Sequence, residues 1–279
     1  METIRRTGAA GPCCIGALLM AVLLMSASSC ASAGSEWFVD ASVPASGDGS
    51  AGAPFKTITE GLSAAQTGDA ITVRNGTYDE HLVFPRGGVT LRAAQSRGAI
   101  VTPGDKIRVE QDDITIEGLV FDWQFCGSDG LRIYNDRVTL RDCELRNTGG
   151  SGTPPGDALE LNGCDQVLIE SCYIHHCLNG SQTNQYDAHG ITGYPTNTTI
   201  RNTTVAYITG DCIQFSPSRR PWGPVLVEGC DLLTGPLPAG LPPGTDWNVG
   251  EIPGENGLDT KQKQENPRSR IVLRDCLIH

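Results

Sequence analysis

The sequence predicts an all-β parallel β-helix, a solenoid of stacked coils, and three observations carry that prediction. A six-residue phrase recurs seven times: VTLRAA from Val89, ITIEGL from Ile114, VTLRDC from Val138, VLIESC from Val167, TTIRNT from Thr198, VLVEGC from Val225 and IVLRDC from Ile271. Its third residues, Leu91, Ile116, Leu140, Ile169, Ile200, Val227 and Leu273, are separated by steps of 25, 24, 29, 31, 27 and 46. A period in the twenties with variable insertions marks stacked coils, not one closed core. A second short strand precedes most copies: IRV at Ile107, LRI at Leu131, LEL at Leu159, HGI at His189, IQF at Ile213 and LDT at Leu258. Finally, no helical periodicity joins these strands. Leucine-rich repeats would show fixed Leu and Asn spacing, and propeller blades need about four strands per repeat of about 40 residues.

Residues 1–33 read as an export signal. Arg5 and Arg6 precede an apolar stretch from Ile15 to Met25, shorter than the ~20 residues of a membrane span. Two exits follow and both stay open. Ala31-Ser32-Ala33 fits a signal-peptidase site, and Ala27-Ser28-Ser29-Cys30 resembles a lipobox that would lipidate Cys30. Either way the protein is expected outside the cytoplasm, secreted, periplasmic or lipid-anchored at a bacterial envelope.

Residues 34–88 read as an N-terminal cap. Trp37-Phe38-Val39-Asp40 is a strand and residues 45–53 a Gly/Ser-rich loop. Ile58, Leu62 and Ala65 mark a short amphipathic helix, stopped by Gly68-Asp69. Ala70-Ile71-Thr72-Val73 is a strand and Asn75-Gly76-Thr77-Tyr78 a turn. A solenoid end exposes apolar surface, and this helix is placed to cover it. Residues 89–279 are the coils. The chain stops just after a phrase, at Leu277-Ile278-His279, so further coils are expected beyond it.

The chain carries 21 basic and 32 acidic residues. Such an acidic surface disfavours nucleic acid and anionic lipid, and it repels a polyuronate unless a divalent cation intervenes. No nucleic-acid partner is expected, membrane contact only through a lipid on Cys30, and a monomer. Of 11 cysteines, Cys143, Cys172, Cys230 and Cys276 share the sixth phrase position, which Ala94, Leu119 and Thr203 fill elsewhere. That column reads first as small buried side chains, although an exported protein could oxidise neighbours such as Cys143 and Cys172. His175-His176-Cys177 reads as a surface turn without zinc spacing.

The opening WFVD…GSAGAPFKTITEGLSAAQTGDAITVRNGTYDEHL resembles that of the pectate-lyase-like right-handed β-helix proteins. The resemblance runs from about Trp37 to the C-terminus. It implies a right-handed solenoid and, less specifically, a protein that acts on or binds acidic polysaccharide, because the fold hosts lyases, hydrolases, epimerases and non-catalytic proteins.

Candidate chemistry lies where the second strand series begins. Aligned coils place Asp157, Asp187, Asp211 and Asn256 in one column, with Glu160, Gly190, Gln214 and Asp259 three positions on. Glu160, Gln214 and Asp259 should face outward, as should Lys261. The phrase Gly254-Glu255-Asn256-Gly257-Leu258-Asp259-Thr260-Lys261 resembles the lysine-base, calcium-dependent lyases of this fold. The resemblance implies Asp187, Asp211, Glu255 and Asp259 as calcium ligands and Lys261 as the base of a β-elimination. The plain alternative is an exposed Asp259–Lys261 ion pair worth under about 1 kcal/mol. Arg219, Arg220 and Trp222 form a basic, aromatic insertion that could hold a sugar carboxylate and stack on a ring, or simply anchor a loop. Tyr186-Asp187-Ala188-His189 resembles an epimerase signature, with His189 at an inward position where a core histidine is the alternative. Residues 235–244, rich in proline, read as a loop over the same face. Paired aspartates spaced for glycoside hydrolysis are not evident, which ranks hydrolase below lyase. The leading expectation is a calcium-assisted lyase, and the alternative from another class is a non-catalytic glycan- or cell-wall-binding β-helix.

Overall fold

A computed structural model describes residues 34–150, 156–216, 221–261 and 269–279. Residues 1–33, expected to be an export signal, and Cys30 with them lie outside these residues. Three sheets wrap one apolar core, and the coils from Ile107 on visit them in the same order. Sheet C runs Ile107–Val109, Leu131–Ile133, Leu159–Leu161, Ile191–Gly193, Ile213–Phe215 and Leu258–Thr260. Sheet A has nine strands: Glu36–Val39, Ala70–Val73, Thr90–Ala93, Thr115–Glu117, Thr139–Arg141, Leu168–Glu170, Thr198–Arg201, Val225–Glu228 and Ile271–Arg274. Sheet B follows a sharp bend, with main strands Gly76–Tyr78, Ala99–Val101, Leu119–Asp122, Glu144–Arg146, Tyr173–Ser181, Thr204–Ile208, Asp231–Leu233 and Leu277–Ile278. All these pairings are parallel, so each strand repeats the previous one a coil higher.

The repeated phrase is one strand of sheet A plus the turn into sheet B. Its third residues pair in register from Leu91 through Ile116, Leu140, Ile169, Ile200 and Val227 to Leu273. The first six are fully buried, and Leu273, on the last strand in the order, is 39% exposed. The expected inward column is therefore present. The fifth residue makes the bend. Asp142, Ser171, Asn202 and Asp275, with φ between 50° and 56°, and Gly118 and Gly229, with φ of 71° and 60°, all adopt the left-handed conformation. Short polar residues and glycine occupy that region at least cost, which is why Asp, Ser, Asn and Gly recur there. Fourth residues face solvent as a ladder of alternating sign: Arg92, Glu117, Arg141, Glu170, Arg201, Glu228 and Arg274. Arg141 and Arg201 both reach Glu170, at 2.8 and 2.5 Å.

Sixth residues open sheet B. Cys143, Cys172 and Cys230 are buried, Cys276 is half-buried, and each thiol points at the carbonyl of a third-position residue one coil below (Ile116, Leu140, Ile200 and Val227) at 3.4–3.6 Å. All eight cysteines among the described residues are free thiols. Burial pushes the thiols of Cys177 and Cys212 up to about 12 and that of Cys230 to about 11.

The helix, Ile58–Ala64, begins with a capping box in which Thr57 and Glu60 satisfy each other's backbone N–H groups, an arrangement that stabilises a helix start. Ile58 and Leu62 are buried. Gly61 approaches Val39 and Ile71 so closely that a Cβ there would lie 2.8 Å from Ile71. The cap thus covers the first two strands of sheet A. Gly76–Tyr78, expected as a turn, is a strand, because it pairs with Ala99–Val101.

His175 and His176 are not in a surface turn. They are buried within the long strand Tyr173–Ser181, where the sheet B register carries the chain past the point at which the sequence looks polar.

Two expectations follow from this packing. Ile169→Ala empties a fully buried site in mid-column and should cost about 2–5 kcal/mol, read as a lowered urea midpoint. Thiol titration of the native protein should leave Cys143, Cys172, Cys177, Cys212 and Cys230 unmodified while Cys126, which is exposed, reacts.

Candidate functional site

The N-terminal ends of the sheet C strands collect the titratable groups. The strand in the fourth coil is Ile191–Gly193, two residues later than expected, and pairs Leu159 with Ile191 and Ile191 with Ile213. This shift corrects two columns. Outward on the strands stand Glu160, Thr192, Gln214 and Asp259, with Thr192 in the place assigned to Gly190. Two residues before each strand stand Asp129, Asp157, His189, Asp211 and Asn256, with His189 in the place assigned to Asp187. The backbone bonds Ala158 N–H to His189 C=O, Gly190 N–H to Asp211 C=O and Cys212 N–H to Asn256 C=O fix this order. Asp187 lies in the loop before the column and is exposed.

His189 is the centre of the arrangement, and it is not a core histidine. Nδ1 lies 2.9 Å from Asp157 Oδ1, and Asp157 also accepts the His189 backbone N–H at 2.7 Å. Nε2 lies 2.8 Å from the Gln214 amide and 3.8 Å from Asp211 Oδ2. Asp211 is buried, and both its oxygens accept amide protons at 2.7 Å, one from Gln214 and one from Asn256. Burial lowers the imidazole pKa, but the Asp157 hydrogen bond and the charges of Asp157, Asp211 and Asp187 outweigh it, so the pKa is raised. Glu255 is also raised, first by desolvation and then by Asp187 and Asp211, with His189 and Lys261 pulling the other way. Asp187, Asp211, Glu255, His189 and Lys261 therefore share one electrostatic neighbourhood.

Asp259 and Lys261 project to the same side, as alternation requires, and form an ion pair at 3.2 Å with the lysine side chain 56% exposed. Two coils below His189, Arg132 binds Asp129 and lies 2.7 Å from Glu160 Oε2 in off-line geometry. Asp129 is 1% exposed and its Oδ1 has no hydrogen-bond partner. Desolvation, with the Asp157 and Glu160 charges, outweighs Arg132 and pushes this carboxyl up to about 6.

Other expected site residues fall elsewhere. Trp222 is 1% exposed, packs on Phe215 at 5.4 Å between ring centroids and donates its indole N–H to Lys261 C=O at 2.9 Å. It anchors the strand end that carries Lys261 and offers no face to a sugar. Arg219 and Arg220 lie outside the described residues. The proline-rich loop does not cover sheet C. Leu237 and Trp247 pack it against Phe125 and Leu178 at the corner between sheets B and C, and only its return, Glu255 to Gly257, reaches the site. Among the described residues, no three His, Cys, Asp or Glu side chains are arranged to hold a metal ion. The amide bonds of Asp211 and the lysine partner of Asp259 explain why the four carboxylates assigned to calcium form no ready cage.

Residues 87–235 match the family described as "Right handed beta helix region", more than half of the chain, and the chain belongs to that family. No curated protein matches the sequence. A structure titled rhamnogalacturonan lyase superposes with a TM-score of 0.61 at 15% identity, over 87% of this chain and 66% of that one. The pectate lyase Pel9A gives 0.51 at 14% identity, over 78% and 58%. ORF18 of Geobacillus virus E2 gives 0.52 at 15% identity, over 79% and 44%. At such identities the likeness is one of fold, a pectate-lyase-like right-handed parallel β-helix, and the chain spans less than two thirds of each of those structures.

The raised imidazole has a measurable consequence. His189 should titrate above 6.5 by NMR, and Asp157→Asn should lower its pKa. Because the folded value lies above the unfolded one, the stabilisation it contributes is complete below about pH 6.5 and is lost as pH rises through the folded value. His189→Gln should therefore reduce the melting temperature at pH 5.5 more than at pH 8.5.

Proposed function

We propose that the protein acts on an acidic polysaccharide laid along the outer face of sheet C, by β-elimination with Lys261 as the base. The observation that carries this reading is the run of outward polar side chains from Glu160 through Gln214 to Asp259, flanked by His189 and ending at a lysine. The fold's likeness to a rhamnogalacturonan lyase and a pectate lyase supports the substrate class. In the proposed step the neutral lysine amine takes the proton from the carbon next to the sugar carboxylate. The electron pair left behind forms the carbon–carbon double bond as the bond to the glycosidic oxygen breaks, and that oxygen takes a proton from water.

Lys261 is a base only once neutral. It is paired with Asp259 at 3.2 Å and solvated, so substrate must displace water and the carboxylate from it. His189, held between Asp157 and Gln214 through its two ring nitrogens, fixes the position of the Gln214 amide on the face where the polymer would lie. Calcium belongs to this proposal as an ion bound together with substrate. Desolvation and then the charges of Asp187 and Asp211 raise Glu255, and Ca²⁺ takes carboxylate oxygens. Bound there, it would offset the substrate's own charge. Export from the cytoplasm, with or without lipid on Cys30, is part of the same reading, since such polymers lie outside the cell.

One observation favours the second reading, a non-catalytic glycan-binding protein: Lys261 is solvated and ion-paired. The two readings separate on one assay. A lyase makes an unsaturated sugar end that absorbs in the ultraviolet, and a binder does not. Across a panel of uronate polymers, with and without calcium, the wild type should generate that absorbance. Lys261→Ala should reduce it by at least about 10³-fold, within the range a general base supplies, with melting temperature and glycan binding nearly unchanged. Unaltered turnover in that variant removes the proposed base, and no turnover on any polymer supports the binding module. Chelation by EDTA should abolish elimination, and undiminished activity would remove calcium from the reading.

A further inference from the structure

The outer face of sheet B carries a second feature that the sheet C site does not use. A groove of about 460 Å³ runs between coils there, lined by Arg97, Ser171, Tyr173, Asn202, Thr204 and Tyr207 among others. Its size falls in the ~300–1,000 Å³ range of small-molecule sites. Both tyrosine rings are fixed from beneath by imidazoles. Tyr173 stacks on His175 with 3.9 Å between centroids, and Tyr207 lies 4.9 Å from His176. His175 is held in turn by Glu144 at 3.2 Å, and Glu144 by Arg146 at 2.6 Å.

Tyr207 has a φ of 60°. The left-handed region is unfavourable for a large aromatic residue, and such strain persists where the surroundings impose it. Here it turns the ring out of the strand and toward the groove. The hydroxyls of Tyr173, Thr204 and Tyr207 and the Asn202 amide make no hydrogen bond within the protein among the described residues. Arg97 is the one charged residue of the lining, and no acid belongs to it. The guanidinium donates to Ser171 C=O at 3.2 Å and lies 3.6 Å from Asp142, which leaves its buried Nε without a partner.

We propose that this groove is a second carbohydrate-binding site, for a short stretch of carboxylated sugar chain, separate from the sheet C face. Sugar rings offer apolar C–H faces to aromatic planes and a rim of hydroxyls to side chains that both donate and accept. A carboxylate substituent meets the arginine in a charge-assisted bond. The lining holds no acid and no unpaired base, so the groove holds a chain without cleaving it. A polymer held on sheet B raises its own concentration at sheet C. That link to one polymer rests on the function proposed above, whereas the groove's chemistry does not.

Calorimetry with a uronic-acid tetrasaccharide, on Lys261→Ala protein to prevent turnover, tests the site. Two binding events are expected. Tyr173→Ala, Tyr207→Asn (which tolerates the left-handed backbone) and Arg97→Gln, each added singly, should weaken one event at least tenfold and leave the other unchanged. Circular dichroism confirms the fold of each variant, and any one that folds suffices. A neutral glucose tetrasaccharide should bind at least tenfold more weakly than the acidic one. Binding unaltered by every folded variant, or equal affinity for the neutral sugar, overturns the proposal. If the wild type cleaves no polymer but the groove still binds the acidic tetrasaccharide, the sheet C reading fails and this one stands.

Discussion

Everything in this molecule depends on one constraint: a parallel strand must lie about 4.8 Å above its predecessor while its inward side chain fills the same slot in the core. The column from Leu91 to Val227 meets that constraint with Leu, Ile and Val, all fully buried. Side chains of similar volume stack without voids, and each coil buries the apolar surface of the one before. The steps between copies range from 24 to 46 residues, yet the column does not drift. Insertions are absorbed outside the strands, chiefly at the corner between sheets B and C, where they alter the surface without touching the core.

The same stacking that serves apolar residues penalises charged ones, because a charge repeated in every coil meets its like at the next. The chain handles this differently on two faces. On sheet A the fourth phrase positions alternate in sign from Arg92 to Arg274, so each charge has opposite neighbours above and below, as at Arg141, Glu170 and Arg201. Exposed pairs of this kind contribute up to about 1 kcal/mol each, and their larger effect is to avoid like-charge contacts. On sheet C the column Asp129, Asp157, His189, Asp211, Asn256 is acidic, with one imidazole inserted between two aspartates. His189 and Asp129 both register that crowding: the neighbouring aspartates raise the His189 pKa against its burial, and desolvation with the Asp157 and Glu160 charges pushes Asp129 up to about 6.

How far the sequence could be read follows from the same physics. Seven copies of one phrase made the stack legible, and strict alternation in LEL, IQF and LDT placed Glu160, Gln214 and Asp259 on one face. His189-Gly190-Ile191 misled because it ends on an inward Ile, as LRI does, without being the strand. Ile191 supplies the first inward residue, not the last, and Gly193 stands where the others keep a large side chain. Only the backbone pairing of Leu159 with Ile191 reveals the two-residue shift that exchanges Asp187 for His189. Trp222 misled because a tryptophan beside two arginines looks alike whether it faces a sugar or a core. One signal was present and unread: the fifth phrase position is Gly, Asp, Ser, Asn, Gly and Asp from the second copy on, the residue types that accept a left-handed bend. The first copy has Ala93, which continues its strand.

The site differs from its surroundings in how its polar groups are held. Along the sheet A ladder each charge is balanced by solvated partners that can be exchanged without consequence for the core. At sheet C, Asp211 is buried and its two oxygens are committed to amides from two coils, Gln214 and Asn256. His189 is committed through both ring nitrogens, toward Asp157 below and Gln214 above. Ordering these groups costs conformational entropy and desolvation that a soluble solenoid does not need. The chain spends residues from four successive coils on it: Asp157, His189, Asp211 with Gln214, and Asn256. A network of that span keeps four coils in fixed relation along one face of sheet C. Lys261 is tethered at its carbonyl by the buried Trp222 indole, while its ammonium is held only by the solvated Asp259 pair, a weaker restraint than those on Asp211 and His189.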